Sequence, residues 1–156
     1  MTRLITTLTL DDAKLMLSAA EAKAAEFAIA YNIAVVDAGG HLIAFVRQDD
    51  ALIGSIDLAI KKAVTARLFD KKTDYLAKLA QPGEPLFGIH QSNDGNVIIF
   101  GGGLPVVRGG RLIGAVGASA GSVEQDIAVA QAGVCAMDAQ LEQERQSDTS
   151  RREQGR

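Results

Sequence analysis

"FGGGLPVVRGGRLIGAVGASAGSVEQDIAVAQAG" occupies residues 100–133. Three consecutive glycines, Gly101, Gly102 and Gly103, separate the apolar run 97–100 from a second one, 104–107. Glycine loses more conformational freedom on folding than any other residue, so a triplet needs a reason. Either the backbone turns through positive φ, or something comes close to the main chain. After the triplet, residues 104–108 and 111–119 read as two strands joined by the Gly109-Gly110 turn, a β-hairpin. Gly114 and Gly117 lie inside the second strand, where close approach of a helix or ligand is the compensation to expect. Ser122 followed by Gln125 is a capping-box signature. From there Val123, Ile127, Ala130, Val134, Met137 and Leu141 give a helix with an apolar stripe.

A similar hairpin lies upstream. Residues 33–37 read as a strand, 38–40 as a turn and 41–47 as the returning strand. VVDAGGHLIA (35–44) and VVRGGRLIGA (106–115) are alike. The N-terminal helix reads from residue 9 to 30, opened by Thr9 and Asp12, with Leu10, Ala13, Leu17, Ala20, Ala24 and Phe27 on one face. Ser55 reads as the N-cap of a helix to Phe69, and 73–80 as a shorter one. Residues 81–96 are the longest irregular stretch. Residues 97–100 read as a short fifth strand. The expected class is α+β: α/β/α layers around a mainly antiparallel five-stranded sheet. One domain spans 1–141, and 142–156, EQERQSDTSRREQGR without its anchor Leu141, reads as a frayed, disordered polar tail.

Composition narrows the function. The chain has 156 residues, 47% hydrophobic, with 4% aromatics and no Trp, so its core rests on Ala, Leu, Ile and Val. A net charge of −3 leaves no basic footprint for nucleic acid. One cysteine excludes an internal disulfide and a Cys-cluster zinc site. No apolar run has the length of a membrane span, and no long apolar segment opens the chain. The expectation is a soluble, cytoplasmic protein with no membrane or nucleic-acid partner.

The triplet is neither a P-loop, since no Gly-Lys-Ser/Thr follows, nor a dinucleotide fingerprint, since its glycines are contiguous and precede a strand. It reads as a tight bend between strands or as a backbone nest at the rim of a pocket. The chain has two histidines, so a three-His metal site is excluded and no metal is expected. His41 follows a turn and reads as solvated. His90, in the long loop, is the candidate for catalytic proton exchange. Arg47 reads as a surface partner of Asp49 or as a bidentate clamp on a carboxylate. Of the adjacent Lys61 and Lys62, at least one is a solvated charge. Asp126 is accounted for by the dipole of the last helix, and Cys135 by packing.

Taken together, VVDAGGHLIAFVRQDDA (35–51), KKAVTA (61–66) and the opening stretch resemble the GlcG/HbpS family, which also supplies the C-terminal domain of PduO-type proteins and is described as haem-binding or haem-degrading. The resemblance covers about residues 5–141. It implies a profilin-like sheet flanked by helices, homo-oligomers and, in some members, bound haem as cofactor. Gly102, Gly103 and Pro105 match the family's glycine–proline bend, and Arg47, Asp49 and Ala51 match its R-x-D-x-A segment, with Asp50 where glycine is usual. Lys62, Ala63 and Ala66 match its second helix, and Asp126 and Gly133 its last. The first helix has no His, Cys or Tyr before Tyr31, so one mode of haem ligation in the family is missing. The expected ligand, a small organic acid or haem, is placed on Arg47, Lys62, Gly101, Gly102, Gly103 and Pro105, with His90 close by. The alternatives are a cofactor-free enzyme acting on a small oxo- or hydroxy-acid, and a structural accessory protein of a catabolic pathway.

Overall fold

The structure, a computed structural model, describes residues 1–154. Its elements are α1 (Leu10–Glu26), β1 (Asn32–Asp37), β2 (Leu42–Arg47), α2 (Gly54–Leu68), α3 (Thr73–Leu79), a 3₁₀ turn (Ile89–Gln91), α4 (Ser92–Gly95), β3 (Gly103–Arg108), β4 (Arg111–Ser119) and α5 (Val123–Gln154). The strands form one antiparallel sheet in the order β2-β1-β4-β3.

Period-two alternation in β1 divides the core. Ile33 and Val35 point to one face with Leu104, Val106 and Val116, where Met16, Ala20 and Ala24 of α1 and Val129, Ala130 and Met137 of α5 cover them. Ala34, Val36 and Ala115 point to the other face, against Ala59, Ala63 and Ala66 of α2. The α2 contact is close because Gly117 of β4 has no side chain: a Cβ there would overlap the Ala59 carbonyl oxygen. Gly133 plays the same part in α5, where a Cβ would lie 3.1 Å from the Met16 carbonyl oxygen of α1.

The two hairpins are alike beyond their sequences. Each shifts register at the second valine of its pair, between Val35 and Val36 and between Val106 and Val107. Each turns through glycine at positive φ, Gly40 at 83° in one and Gly109 and Gly110 at 55° and 75° in the other. Both expected capping boxes form. Thr9 exchanges bonds with Asp12, and Ser122 with Gln125.

Five expectations are corrected. Residues 97–100 are not a fifth strand; the sheet has four. Their backbone is satisfied by a side chain of α2, with Ile98 N donating to Thr65 Oγ1 (3.0 Å) and that hydroxyl donating to the Asn96 carbonyl (3.3 Å). α1 stops at Glu26, before a left-handed Ala28 at φ 53°. Ser55 is not the cap of α2, which starts at Gly54 without a side-chain capping bond. The buried stripe of α5 is Asp126, Val129, Ala130, Gly133, Met137 and Leu141, while Val123 is 39% exposed. Beyond Leu141, α5 continues as helix to Gln154 where a frayed tail is expected. Glu, Gln and Arg are good helix formers, Arg145 bonds Glu142 at 2.8 Å, and Arg108 of the second hairpin reaches Glu144 at 3.2 Å. The expectation for residues 155 and 156 lies outside the described residues. Among those described, no helix is long and apolar enough to cross a membrane.

The closeness of α2 to β4 is measurable. Gly117→Ala should lower stability by about 1–3 kcal/mol, the scale of overpacking a filled interface. Gly54→Ala, in the first turn of α2 with open space around it, should be neutral or slightly stabilising. Equal denaturation midpoints for Gly117→Ala and wild type would remove the close-packing account.

Candidate functional site

One end of the sheet holds both hairpin turns. The other holds Arg47, Asn32 and Ser119 in one cross-strand row, with Gly103 and the triple-glycine bend beyond. Into this second end α2 sends Lys62, fully buried. Its ammonium donates to Asp126 Oδ2 at 2.6 Å and to the Ala118 carbonyl at 3.0 Å, and the Phe100 ring lies over it with the centroid 4.8 Å away. The other oxygen of Asp126 accepts from the backbone N–H groups of Ala120 (3.1 Å) and Gly121 (3.0 Å). One ion pair thus joins α2, the end of β4, the β4–α5 loop and α5. Burial pushes the Lys62 pKa down, against the Asp126 carboxylate that holds its proton in place.

The three glycines close over this pair. A Cβ on Gly101 would strike Ile127 and Val123 of α5; one on Gly102 would lie 2.6 Å from the Ala118 carbonyl oxygen and 3.0 Å from Lys62 Nζ; one on Gly103 would overlap the Lys62 carbonyl. Gly102 also needs φ 115°, which side-chain-bearing residues avoid. Thr73 of α3 accepts from Gly103 N at 2.9 Å, and Gly102 O accepts from Ala118 N at 2.9 Å. Gly101, Gly102 and Gly103 are buried and their neighbours are protein. Expected as an open rim with exposed N–H groups, the bend is instead a closed seam, because α2, β4 and α5 all meet it.

Tyr31, also fully buried, brings its hydroxyl beside Asp126 and Gly121 without a well-formed hydrogen bond to either. Burial, with the Asp126 charge second, raises its pKa above the ordinary tyrosine value.

The other expected site residues are dispersed. Pro105 is half-buried in β3, an edge strand that tolerates its missing donor. Arg47 ends β2 at the opposite edge, three strand spacings or roughly 14 Å from the bend. It is exposed and, among the described residues, has no ion-pair partner, Asp49 included. Its cross-strand neighbour Asn32 is buried, donates to the Leu52 carbonyl at 2.9 Å and keeps Oδ1 without a partner. Leu52 and Ile53, 60% and 76% exposed, complete that corner. His90 sits in the 3₁₀ turn with Nδ1 buried and unpartnered. Lys61 is a surface charge paired with Asp57 at 2.7 Å. Among the described residues no three His, Cys, Asp or Glu side chains gather as a metal site.

Sequence reasoning missed Asp126, Tyr31, Thr73 and Phe100 as neighbours of the bend. Asp126 carried a readable signal: it stands three and four residues before Val129 and Ala130, on the buried stripe of α5. Lys62 lies in the same way within the alanine face of α2. Two opposite charges, each inside an apolar stripe, imply a buried pair.

A family model described as "Haem degrading protein HbpS-like" matches residues 8–135. The chain belongs to this HbpS-like family. It is 45% identical over 122 residues to an uncharacterized 15.0 kDa protein of Citrobacter freundii, covering 78% of this chain and 86% of that one. It is 39% identical over 125 residues to the corrinoid adenosyltransferase PduO of the same organism, covering 80% of this chain and 37% of PduO. Among solved HbpS-like folds, a PduOC:heme complex superposes with a TM-score of 0.81 at 38% identity, covering 84% of this chain and 95% of that one. The Klebsiella pneumoniae protein ORFY gives 0.86 at 39% identity, covering 88% and 95%.

The ion pair and the phenol give separate tests. Lys62→Met leaves Asp126 buried without its cation and should cost about 3–5 kcal/mol, with Lys62→Met/Asp126→Leu recovering part of it. A single Lys62→Met variant as stable as wild type would show that the pair does not tie the elements together. Tyr31 has a raised pKa in the folded state, so the folded state holds its proton longer than the unfolded chain does. Its stability contribution is therefore full below pH 10, the unperturbed value, and is lost as pH rises beyond it. Relative to Tyr31→Phe, wild type should lose stability above pH 10 and match it near neutrality; parallel stability curves across that range would count against the buried phenol.

Proposed function

We propose that this HbpS-like chain is a small-ligand-binding protein whose ligand carries a carboxylate, either haem or a small organic acid, held at the Arg47 end of the sheet within a homo-oligomer. The observation that carries this reading is exposed Arg47, without an ion-pair partner among the described residues, at the strand end where its neighbour Asn32 bonds the carbonyl of exposed Leu52. A guanidinium binds a carboxylate bidentately, and adjoining apolar side chains receive a carbon skeleton. The haem complex of a relative 38% identical supports haem as the reference ligand.

The fit to haem is one-sided. This corner has a cation for a propionate and apolar contact for a ring. It has no free axial donor: the Tyr31 hydroxyl is buried across the sheet, and His90 stands in another segment. Haem, when bound, supplies redox and Lewis-acid chemistry at its iron; the chain's part here is to hold the periphery. Lys62, Gly101, Gly102, Gly103 and Pro105 then hold the opposite edge of the sheet together rather than touch the ligand. His90, whose imidazole carries both a donor and an acceptor nitrogen, is the group left for proton exchange.

Self-association would share part of this surface. The alanine faces of α1 and α2 are consumed inside the protomer, so an interface falls to the sheet edges and to exposed Leu52 and Ile53.

Haem titration followed by the Soret band, together with calorimetry against small oxo- and hydroxy-acids, tests the reading. Arg47→Ala should weaken the bound class by about 1.5–3 kcal/mol, the scale of a charge-assisted hydrogen bond, while thermal stability stays within about 0.5 kcal/mol of wild type, as for an exposed position. Absence of binding by every member of both ligand classes, or an Arg47→Ala variant that binds as wild type, would refute it.

A further inference from the structure

The opposite end of the sheet carries a second concavity. A cleft of about 340 Å³ opens between the N-terminal segment, the first hairpin turn, the end of α2 and the start of β4. That volume falls in the range of small-molecule sites, about 300–1,000 Å³. Its walls bring together Arg3, Arg67 and Arg111, residues from three separate parts of the chain, with Asp70 as the only carboxylate among them.

The charges do not cancel. Arg67 Nη1 bonds Asp70 Oδ1 at 2.6 Å, which uses the one carboxylate. Arg67 Nε is buried and has no partner. Among the described residues Arg3 and Arg111 have no ion-pair partner. Nearby Asp37, which is not part of the lining, accepts at one oxygen from the backbone N–H groups of Gly39 (2.8 Å) and His41 (2.9 Å). Two positive charges remain over, and one of the donors is already desolvated.

The walls are anchored. Leu8 N donates to the Ile113 carbonyl at 2.9 Å and Ala38 N to Thr7 Oγ1 at 2.9 Å, so the N-terminal segment is tied to both hairpins at residues 7 and 8, a few residues after Arg3. Leu4 and Ile5 are largely exposed along the cleft and give an apolar side to an otherwise cationic space.

We propose that this cleft binds a small doubly charged oxyanion, a dicarboxylate or a phosphate monoester, between Arg3, Arg67 and Arg111. Two surplus guanidinium charges match a dianion, the planar fork suits either carboxylate or phosphoryl oxygens, and the apolar side accepts a short carbon body. The site goes beyond the function proposed for the Arg47 end, from which the length of β1, roughly 17 Å, separates it.

Calorimetry on the full chain at low ionic strength, with succinate and with glycerol phosphate as probes, tests the proposal. In the Arg47→Ala background, which removes binding at the other end, at least one probe should saturate with one site per chain, and the tighter one names the source of the charge. Arg111→Ala and Arg3→Ala should each weaken that binding by about tenfold or more, as expected for loss of a charge-assisted hydrogen bond. Arg111→Lys should retain part of it. Arg108→Ala, which removes the same net charge from a residue paired with Glu144, should leave it unchanged. Failure of both probes to saturate would overturn the proposal, as would wild-type affinity in Arg111→Ala and Arg3→Ala, or an equal loss in Arg108→Ala. Because these titrations use the Arg47→Ala background and those of the other end compare it with wild type, failure here and failure there are told apart.

Discussion

The Lys62–Asp126 pair is the constraint on which the arrangement of this fold depends. A buried charge is costly unless it is paired and its remaining valences are satisfied. Here the ammonium has a carboxylate, a carbonyl and an aromatic face, and the carboxylate has two backbone N–H groups in addition. Those partners come from α2, α5, β4, the loop between β4 and α5, and the segment before the bend. Each of these must sit where the pair needs it. The glycines at Gly101, Gly102 and Gly103 follow from that need, since the chain must cross directly above an ion pair already enclosed by two helices.

Much of this was legible from residue patterns. The hairpins were marked by apolar alternation around Gly-Gly turns, and the helix starts at Thr9 and Ser122 by reciprocal side-chain partners. These are local signals, and local signals survive into the fold. Of the two strand glycines expected to admit a helix or a ligand, Gly117 faces a helix, α2, whereas Gly114 faces Leu8 of the N-terminal segment and the Val36 carbonyl. What was not legible depended on distant partners. Residues 97–100 have the composition of a strand, yet Thr65, more than 30 positions earlier in sequence, takes up their backbone bond. The buried face of α5 was placed one side too far because Val123 and Ile127 outrank Asp126 in hydrophobicity, whereas burial followed the ion pair.

The site was legible in part. Lys62 and the glycine bend do meet, but as a sealed joint. Arg47 is exposed and has no ion-pair partner among the described residues, but it lies three strands away. No rule of local sequence separates a lysine that grips a ligand from one that grips an aspartate; only the strand order and the position of α5 decide it. The arginines of the hairpin end drew no attention for the opposite reason. Arg3, Arg67 and Arg111 are far apart in sequence, and each alone reads as an ordinary surface charge.

The sealed bend has a consequence for how such a protein can change its ligand. Positions 101 to 103 admit no side chain, so selection or a mutagenic library has no chemical alphabet to draw on there. Variation is open instead at positions such as Arg47, Leu52 and Ile53, where side chains face solvent and can be exchanged singly. The fold therefore divides its residues into a fixed hinge-pin of glycines and charges and a replaceable outer surface, and two chains sharing the first need not share a ligand.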